Sequence, residues 1–470
     1  MVIFKPSFLF VSLAMLFISS DLFGQKEKID SGIPSIQQMR AEENYAFLND
    51  NDSAQLFLKP LKWIQINQKK GIYLSFGGQY RPRFEYFNNV NYTSEDQFYY
   101  SQRLALNADL TLGKYFRVFG ELYHGATSDG KVFLQSDVVD WHQGFLEFKL
   151  PLRDKASVSM RFGRQELSLG GSRFIGLREG PNIRQSFDLV KLSAVFQDFR
   201  ILAFYGSYVN PNFEAFDNTF DLFDPFRADP IVWSIGGRIP LAINANRSLD
   251  VYYVGFQSYQ VKLNDVVGEE NRHSLGIRSF GNVGKQWTYN TEVIYQFGDL
   301  SGNPINAFNI EADWKYALKT KVKTLLGLKL DISSGDREQG DGQLQTFNPL
   351  FVNPAIYSLA GLNTPANLTS LHPNVTFIFD KMSVFIDYAI FYRSSLKDGL
   401  YTPPRFLVRE ANGISDRKIG DTFGLQLSYE LNRNTSFDLR TTYFINGDFI
   451  KASGDSENTF YIAPTLSFRF

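Results

Sequence analysis

Ile72-Tyr73-Leu74-Ser75-Phe76-Gly77-Gly78-Gln79-Tyr80-Arg81-Pro82-Arg83-Phe84-Glu85-Tyr86-Phe87 alternates with a period of two. Ile72, Leu74, Phe76, Tyr80, Phe84 and Tyr86 share one face, and Ser75, Gln79, Arg81, Arg83 and Glu85 share the other. Successive side chains of an extended chain point to opposite faces, so this is a strand with one apolar and one charged side. The pattern recurs. Residues 103–112 set Leu104, Leu106, Ala108, Leu110 and Leu112 against Arg103, Asn107 and Asp109. Residues 308–318, 322–332 and 437–445 repeat it, and the last strand places Phe460, Ile462, Leu466, Phe468 and Phe470 opposite Arg469.

A soluble sandwich also alternates, so alternation alone does not decide. These strands run near ten residues, where soluble strands average about five or six. Their polar faces carry full charges, which suits a wet lumen, and their apolar faces are aromatic and aliphatic throughout, which suits lipid. About 18 such segments can be counted, an even number fit for a pore. The expectation is an all-β, transmembrane antiparallel β-barrel. Tight connections at Gly113-Lys114 and Asn432-Arg433-Asn434 contrast with long ones at 127–143, 169–186, 210–230, 333–371 and 394–420. Short periplasmic turns and long extracellular loops are the outer-membrane arrangement.

Composition agrees. The 470-residue chain is 16% aromatic, with 45 Phe and 24 Tyr but only 5 Met, a bias that favours strands over helices. A net charge of −1 gives no bulk attraction to nucleic acid. The absence of cysteine excludes disulfides, thiolate metal sites, a Cys nucleophile and lipid attachment through Cys. Residues 1–24 read as a signal peptide: Lys5, an apolar run over 8–18 broken only by Ser12, then the small Ser19, Ser20 and Gly24. Residues 25–70 are polar and read as a periplasmic lead-in, with helix expected around 36–48, too short for a globular plug. The barrel is expected over 71–470.

The chain has four histidines, His124, His142, His273 and His372, and none forms HExxH. No GxSxG, P-loop or GxGxxG occurs. No catalytic residue, metal or cofactor is therefore expected, and the chain is not read as an enzyme. His124 and His142 flank one expected loop and read as ordinary polar residues. Residues 336–342 are acidic and glycine-rich but lack EF-hand spacing, so they read as a solvated loop.

The densest chemistry lies in Arg161-Phe162-Gly163-Arg164-Gln165-Glu166-Leu167-Ser168-Leu169-Gly170-Gly171-Ser172-Arg173, continuing to Arg178 and Arg184. Parity turns Arg161 and Gln165 inward but Arg164 and Glu166 outward. Either the strand ends near Gly163 or a bulge re-aims it. The arginines either gather carboxylates in a pore or pair with Glu166, Glu179 and Asp188 to brace the wall.

This stretch, with Arg184-Gln185-Ser186-Phe187-Asp188, resembles the signature of the alginate export family of outer-membrane barrels. Residues 73–85 resemble that family's opening strand. Arg40-Ala41-Glu42-Glu43-Asn44-Tyr45 through Leu61-Lys62-Trp63-Ile64 resembles its lead-in, and Ser334-Gly335-Asp336 with Phe347-Asn348-Pro349-Leu350-Phe351 a late loop. The resemblance covers about residue 40 to the end, with Gln79 standing where an acid is expected. It implies a barrel in a Gram-negative outer membrane whose basic lumen passes an anionic uronate polymer. The pore-lining candidates are Arg81, Arg83, Arg103, Arg161, Arg164, Arg173, Arg178, Arg184, Lys323, Lys329 and Arg440. Implied partners are outer-membrane lipid, an anionic polysaccharide or small anionic solute, and the barrel-assembly machinery through Phe470. The alternative function is a general diffusion porin, and further off a barrel enzyme.

Overall fold

The computed structural model describes residues 35–470 apart from 50–56, 154, 221, 223–229, 242–245, 264–265, 358–359 and 404. The signal peptide expected at 1–24 lies outside the described residues. A short strand β1 (Ile64–Asn67) leads into β2 (Ile72–Asn88), β3 (Gln97–Leu112), β4 (Phe116–Thr127), β5 (Asp137–Arg153), β6 (Ala156–Gln165) and β7 (Phe187–Phe196). Then follow β8 (Phe199–Tyr208), β9 (Ile231–Pro240), β10 (Arg247–Leu263), β11 (Val266–Val283), β12 (Trp287–Leu300), β13 (Asn303–Leu318) and β14 (Lys323–Ser333). The last are β15 (Leu368–Ile378), β16 (Met382–Arg393), β19 (Lys418–Asn432), β20 (Thr435–Asn446) and β21 (Thr459–Arg469), with a small hairpin of β17 (Leu400–Thr402) and β18 (Phe406–Arg409) inside one loop. Each long strand pairs antiparallel with its neighbours. β2 pairs with both β3 and β21, which closes an 18-strand barrel and leaves no long edge.

The side-chain parity read from the sequence holds. On β2, Ser75, Gln79, Arg81, Arg83 and Glu85 are buried inside while Phe76, Tyr80 and Phe84 are exposed outside. Leu106, Leu146, Leu275 and Ile277 continue the outer apolar belt. In water that belt would cost about 25 cal/mol per Å², whereas hydrocarbon carries no such penalty. Aromatic pairs mark both rims. Phe116–Phe148 and Trp287–Tyr316 lie near the short turns with centroids 5.2 and 4.9 Å apart, and Phe84–Tyr100 lies towards the long loops at 5.0 Å.

Short turns lie at the end holding β1 and Phe470, the periplasmic side in this architecture. The opposite side carries the long loops, though Ser301-Gly302 joins β12 to β13 tightly. The connection expected over 127–143 is shorter, because β5 already starts at Asp137 and the residues from there to Gln143 extend the wall. Two long loops fold inward. Residues 166–186 and 334–367 meet inside, where Phe174, Ile175, Phe187, Tyr208, Phe256 and Phe351 form an apolar core. The barrel is thus packed by its own loops rather than left as an open tube.

The helix expected near 36–48 is instead two 3-10 turns, Arg40–Glu42 and Ala46–Asn49. Nor does this part of the lead-in sit outside in the periplasm. Residues 38–42 lie within the lumen: Arg184 donates to the Gln38 carbonyl at 3.0 Å and Arg117 to the Ala41 carbonyl at 2.8 Å. Lumenal guanidiniums take carbonyls that a longer helix would use internally.

Candidate lumenal binding site

Four predicted arginines hold the 166–186 loop to the wall. Arg103 gives Nε to the Asn182 carbonyl, one Nη to the Pro181 carbonyl and the other to Glu179, at 2.6, 2.6 and 2.8 Å. Arg81 donates to the Glu179, Gly180 and Pro181 carbonyls at 2.6, 3.1 and 2.9 Å. Arg83 reaches the Gly180 carbonyl at 2.6 Å and pairs with Glu85 at 2.9 Å. Arg184, on the loop itself, bridges Glu166 and Glu179 at 3.0 and 3.2 Å. Burial would raise the Glu179 pKa, but Arg103, Arg184 and Arg81 outweigh it and hold the carboxyl far below its usual range. These guanidiniums are consumed in bracing a constriction.

Arg164 does not face the lumen. β6 continues through Gln165 in unbroken register with β5 and β7, so neither an early end nor a bulge re-aims it. Gly163 absorbs the local distortion at φ +130°, where a Cβ would stand 2.3 Å from the Gly144 carbonyl oxygen. Arg164 keeps the parity of the exposed Phe162. It forks onto Asp188, its cross-strand partner, at 2.8 and 2.9 Å, beneath the Asn218 and Thr219 carbonyls.

Arg173 crosses the lumen to an acidic patch on β13 and β14, 2.9 Å from Glu311 and 3.0 Å from Asp331. Arg178 reaches the Tyr208 hydroxyl at 3.1 Å. Lys329 lies over the Phe385 ring at 5.3 Å, Lys323 is exposed at the periplasmic start of β14, and Arg440 is half-buried on β20. The structure does not bring these last three into one cluster with the others.

A cavity of 770 Å³ remains on the periplasmic side of the constriction. Arg117, Arg161 and Lys191 line one wall, and Arg200, Arg238 and Arg278 the other. Phe119 and Phe145 stack at 5.3 Å between Arg117 and Arg161, whose guanidiniums lie 5.5 and 4.9 Å from those rings. Arg117 pairs with Asp109 at 2.7 Å and Glu147 at 3.2 Å, and Arg161 with Glu147 at 3.1 Å. Of this group Arg161 was a pore-lining candidate from sequence, and strand parity also turns Lys191, Arg238 and Arg278 inward; Arg117 and Arg200 were not named. Arg117 was missed because Phe119 beside it on the inner face disguises the parity, although Arg117, Phe119 and Glu121 do alternate with Phe116 and Val118.

Among the described residues, Glu121, His142 and Glu166 have ligand atoms within 4.8 Å of one another. They do not suit a cation. Arg184 already holds both Glu166 oxygens, each at 3.0 Å, and His142 Nε2 shares one of them at 2.9 Å. His124 lies apart, its ring against the Val138 carbonyl.

At the periplasmic mouth Lys62 donates to the Phe76 carbonyl at 2.7 Å and lies over the Tyr45 ring. Burial, with Arg40 adding and Glu43 opposing, pushes its pKa down to about 7. The unfolded chain then binds more protons than the folded one between pH 7 and the free-lysine value of about 10.4, so docking strengthens with rising pH across that window. We expect the open fraction of the channel to fall between pH 6 and 9. Lys62→Met should abolish that dependence, and a wild-type current flat with pH would refute it.

A closed 18-strand barrel with an apolar belt, lumenal charges and infolded loops is an outer-membrane channel of the porin kind. The family model for alginate export matches residues 72–463, and the chain belongs to that family. Its location is accordingly the Gram-negative outer membrane. Similar solved structures include the outer membrane protein OpdK of Pseudomonas aeruginosa, with TM-score 0.53 and 12% identity over 84% of this chain and 99% of that one. Another is OccK2 (OpdF) of the same organism in complex with glucuronate, at 0.54 and 14% over 84% and 98%. A third is a BenF-like porin from Pseudomonas fluorescens Pf-5, at 0.53 and 11% over 84% and 98%. No curated protein matches. Family and fold are those of transport channels.

Proposed function

We propose that this channel passes anionic solutes of the uronate class, including export of a uronate-containing polysaccharide. The observation that carries this reading is the cavity wall of Arg117, Arg161 and Lys191, backed by the stacked Phe119–Phe145 pair that Ala41 of the lead-in covers. Guanidiniums match a carboxylate, and aromatic faces match the C–H face of a sugar ring. Rings of cations favour anions in a pore provided each site is weak enough to release. The family's description as alginate export and the glucuronate of OccK2 support the same ligand class. We retain residues 1–24 as an export signal, 71–470 as the barrel unit and Phe470 as the contact for the assembly machinery.

The test is the zero-current potential of refolded protein in a planar bilayer under a KCl gradient, with and without glucuronate. Wild type should be anion-selective, and glucuronate should interrupt the current through its open channel. Arg117→Ala with Arg161→Ala should shift selectivity towards cations and weaken the block about tenfold or more, the loss of charge-assisted bonds worth roughly 1.4 kcal/mol or above. Arg164→Ala should leave selectivity unchanged. A double variant that selects and blocks as wild type does would refute the site. An unselective current favours the second reading, a general diffusion porin, which the consumption of Arg81, Arg103 and Arg184 by the constriction loop supports.

A further inference from the structure

Residues 38–42 make the contacts that a uronate would make. The Glu42 carboxylate lies 2.6 Å from an Arg161 Nη. The preceding Ala41, 1% exposed, packs on the Phe119–Phe145 pair, and its carbonyl accepts from Arg117 at 2.8 Å. A carboxylate on the guanidinium and a small aliphatic group on the paired rings copy the two halves of a sugar acid.

The charge around the cavity points the same way. Eight Lys or Arg residues and five acids line it, and two of those acids, Glu42 and Glu43, belong to the lead-in. The barrel wall itself therefore opposes eight cations with three carboxylates, an excess that the lead-in partly neutralises.

The barrel is also shaped to receive the segment. Gly77 is on the inner face of β2. A Cβ there would stand 2.7 Å from an Arg40 Nη and 3.0 Å from Lys62 Nζ, so its bare backbone leaves room for both. Arg40 in turn donates to the Phe470 carbonyl at 2.5 Å, at the strand junction that closes the barrel.

The attachment is nonetheless separable from the wall. Residues 38–42 add no strand to the sheet. The Glu42 side chain is 46% exposed to the cavity, and an ion pair that solvent reaches is worth little and exchanges readily.

We propose that Ala41-Glu42 is a removable internal occupant of the uronate site, and that the lead-in is a gate which an anionic solute opens by competing for Arg117 and Arg161. The ligand class rests on the function proposed above; the gate itself does not. Protons do not release the Glu42 end of the segment, whereas its Lys62 end loosens as pH falls towards 7. Although burial opposes it, Arg161 and Lys191 hold the Glu42 pKa down to about 2. A lowered carboxyl pKa keeps its contribution above the unfolded value of about 4.3 and loses it only as pH falls through the folded value. A competing carboxylate is the effective displacer at neutral pH.

Two variants of the full chain test this from opposite sides of the contact. Glu42→Lys sets a cation among the lumenal cations. Gly77→Leu crowds Arg40 and Lys62, together with Asn107 of the wall, while leaving Glu42 intact. Single-channel conductance in KCl, titrated with glucuronate, should show both variants several-fold more open than wild type before any glucuronate is added. Glucuronate should then bind each about tenfold more tightly, because the fraction of competent sites is no longer limited by the occupant. Wild-type conductance and wild-type block in both variants would overturn the gate and leave the anionic channel standing. Increased conductance in both, with glucuronate inert in every protein, would leave the gate standing and overturn the uronate assignment.

Discussion

Glu179→Ala should free the infolded loop and raise single-channel conductance several-fold, the largest functional change expected from any one substitution in this barrel. Its carboxylate receives Arg103 at 2.8 Å, Arg184 at 3.2 Å and Arg81 at 3.3 Å. Removing it leaves three buried guanidiniums facing one another. Breaking such a pair by deleting one partner typically costs about 3–5 kcal/mol, because the remaining charge stays desolvated. The loop carbonyls of Gly180, Pro181 and Asn182 cannot offset like-charge repulsion of that size, so the loop should swing away and admit water. The thermal midpoint in detergent should fall together with the rise in conductance. A lowered midpoint with unchanged conductance would mean that this loop braces the barrel without narrowing its path. The pH dependence has a definite sign. The Glu179 pKa is held low, so its contribution is complete above about pH 4.3 and disappears only as pH drops through the folded value. Mild acid should therefore leave the constriction closed.

Arg173→Met should have the second-largest effect and act on the opposite wall. Arg173 is 2% exposed and stands between Glu311 at 2.9 Å and Asp331 at 3.0 Å, with Asp313 at 3.9 Å. Tyr357 also donates to Glu311. Methionine keeps the bulk and deletes the charge, so three carboxylates lose the guanidinium that partly offsets them. The expected result is a shift of the zero-current potential towards cations, with a stability loss of about 3–5 kcal/mol from stranded acids. Unchanged selectivity would mean that permeating ions avoid this wall and travel along the Arg117–Arg161 side. Combining Arg173→Met with Arg117→Ala and Arg161→Ala separates the two routes, since distant sites without shared partners should add.

These effects depend on features that are unequally visible in the chain. The strands are legible because lipid and lumen demand opposite chemistry at every second residue. Arg81, Arg83 and Glu85 therefore declare their side without any knowledge of neighbours. The family is legible through the arginine-rich run from Arg161 to Arg173 and the run ending in Asp188. Less was legible at Arg117, where an inward Phe119 breaks the charged pattern that marks a lumenal face. The tasks of the arginines were legible only as two alternatives: bracing against Glu166, Glu179 and Asp188 was one of them, but which arginine takes which acid was not readable. Arg164 and Arg161 are three residues apart, yet one braces the wall against Asp188 and the other meets Glu42 in the cavity, because β6 and β7 set one register and the lead-in supplies the other partner.

By itself the sequence determined an outer-membrane barrel of about 18 strands, its inner and outer faces and its family, since each follows from short-range alternation and local motifs. Only the tertiary structure decided which guanidiniums are spent on the constriction, which remain around the cavity, and that residues 38–42 lie inside rather than beneath the barrel. Those outcomes depend on contacts between residues far apart in the chain. Arg40 with Phe470 and Arg161 with Glu42 are pairs for which no local period carries a signal, and closure of β2 onto β21 first creates the space in which they meet.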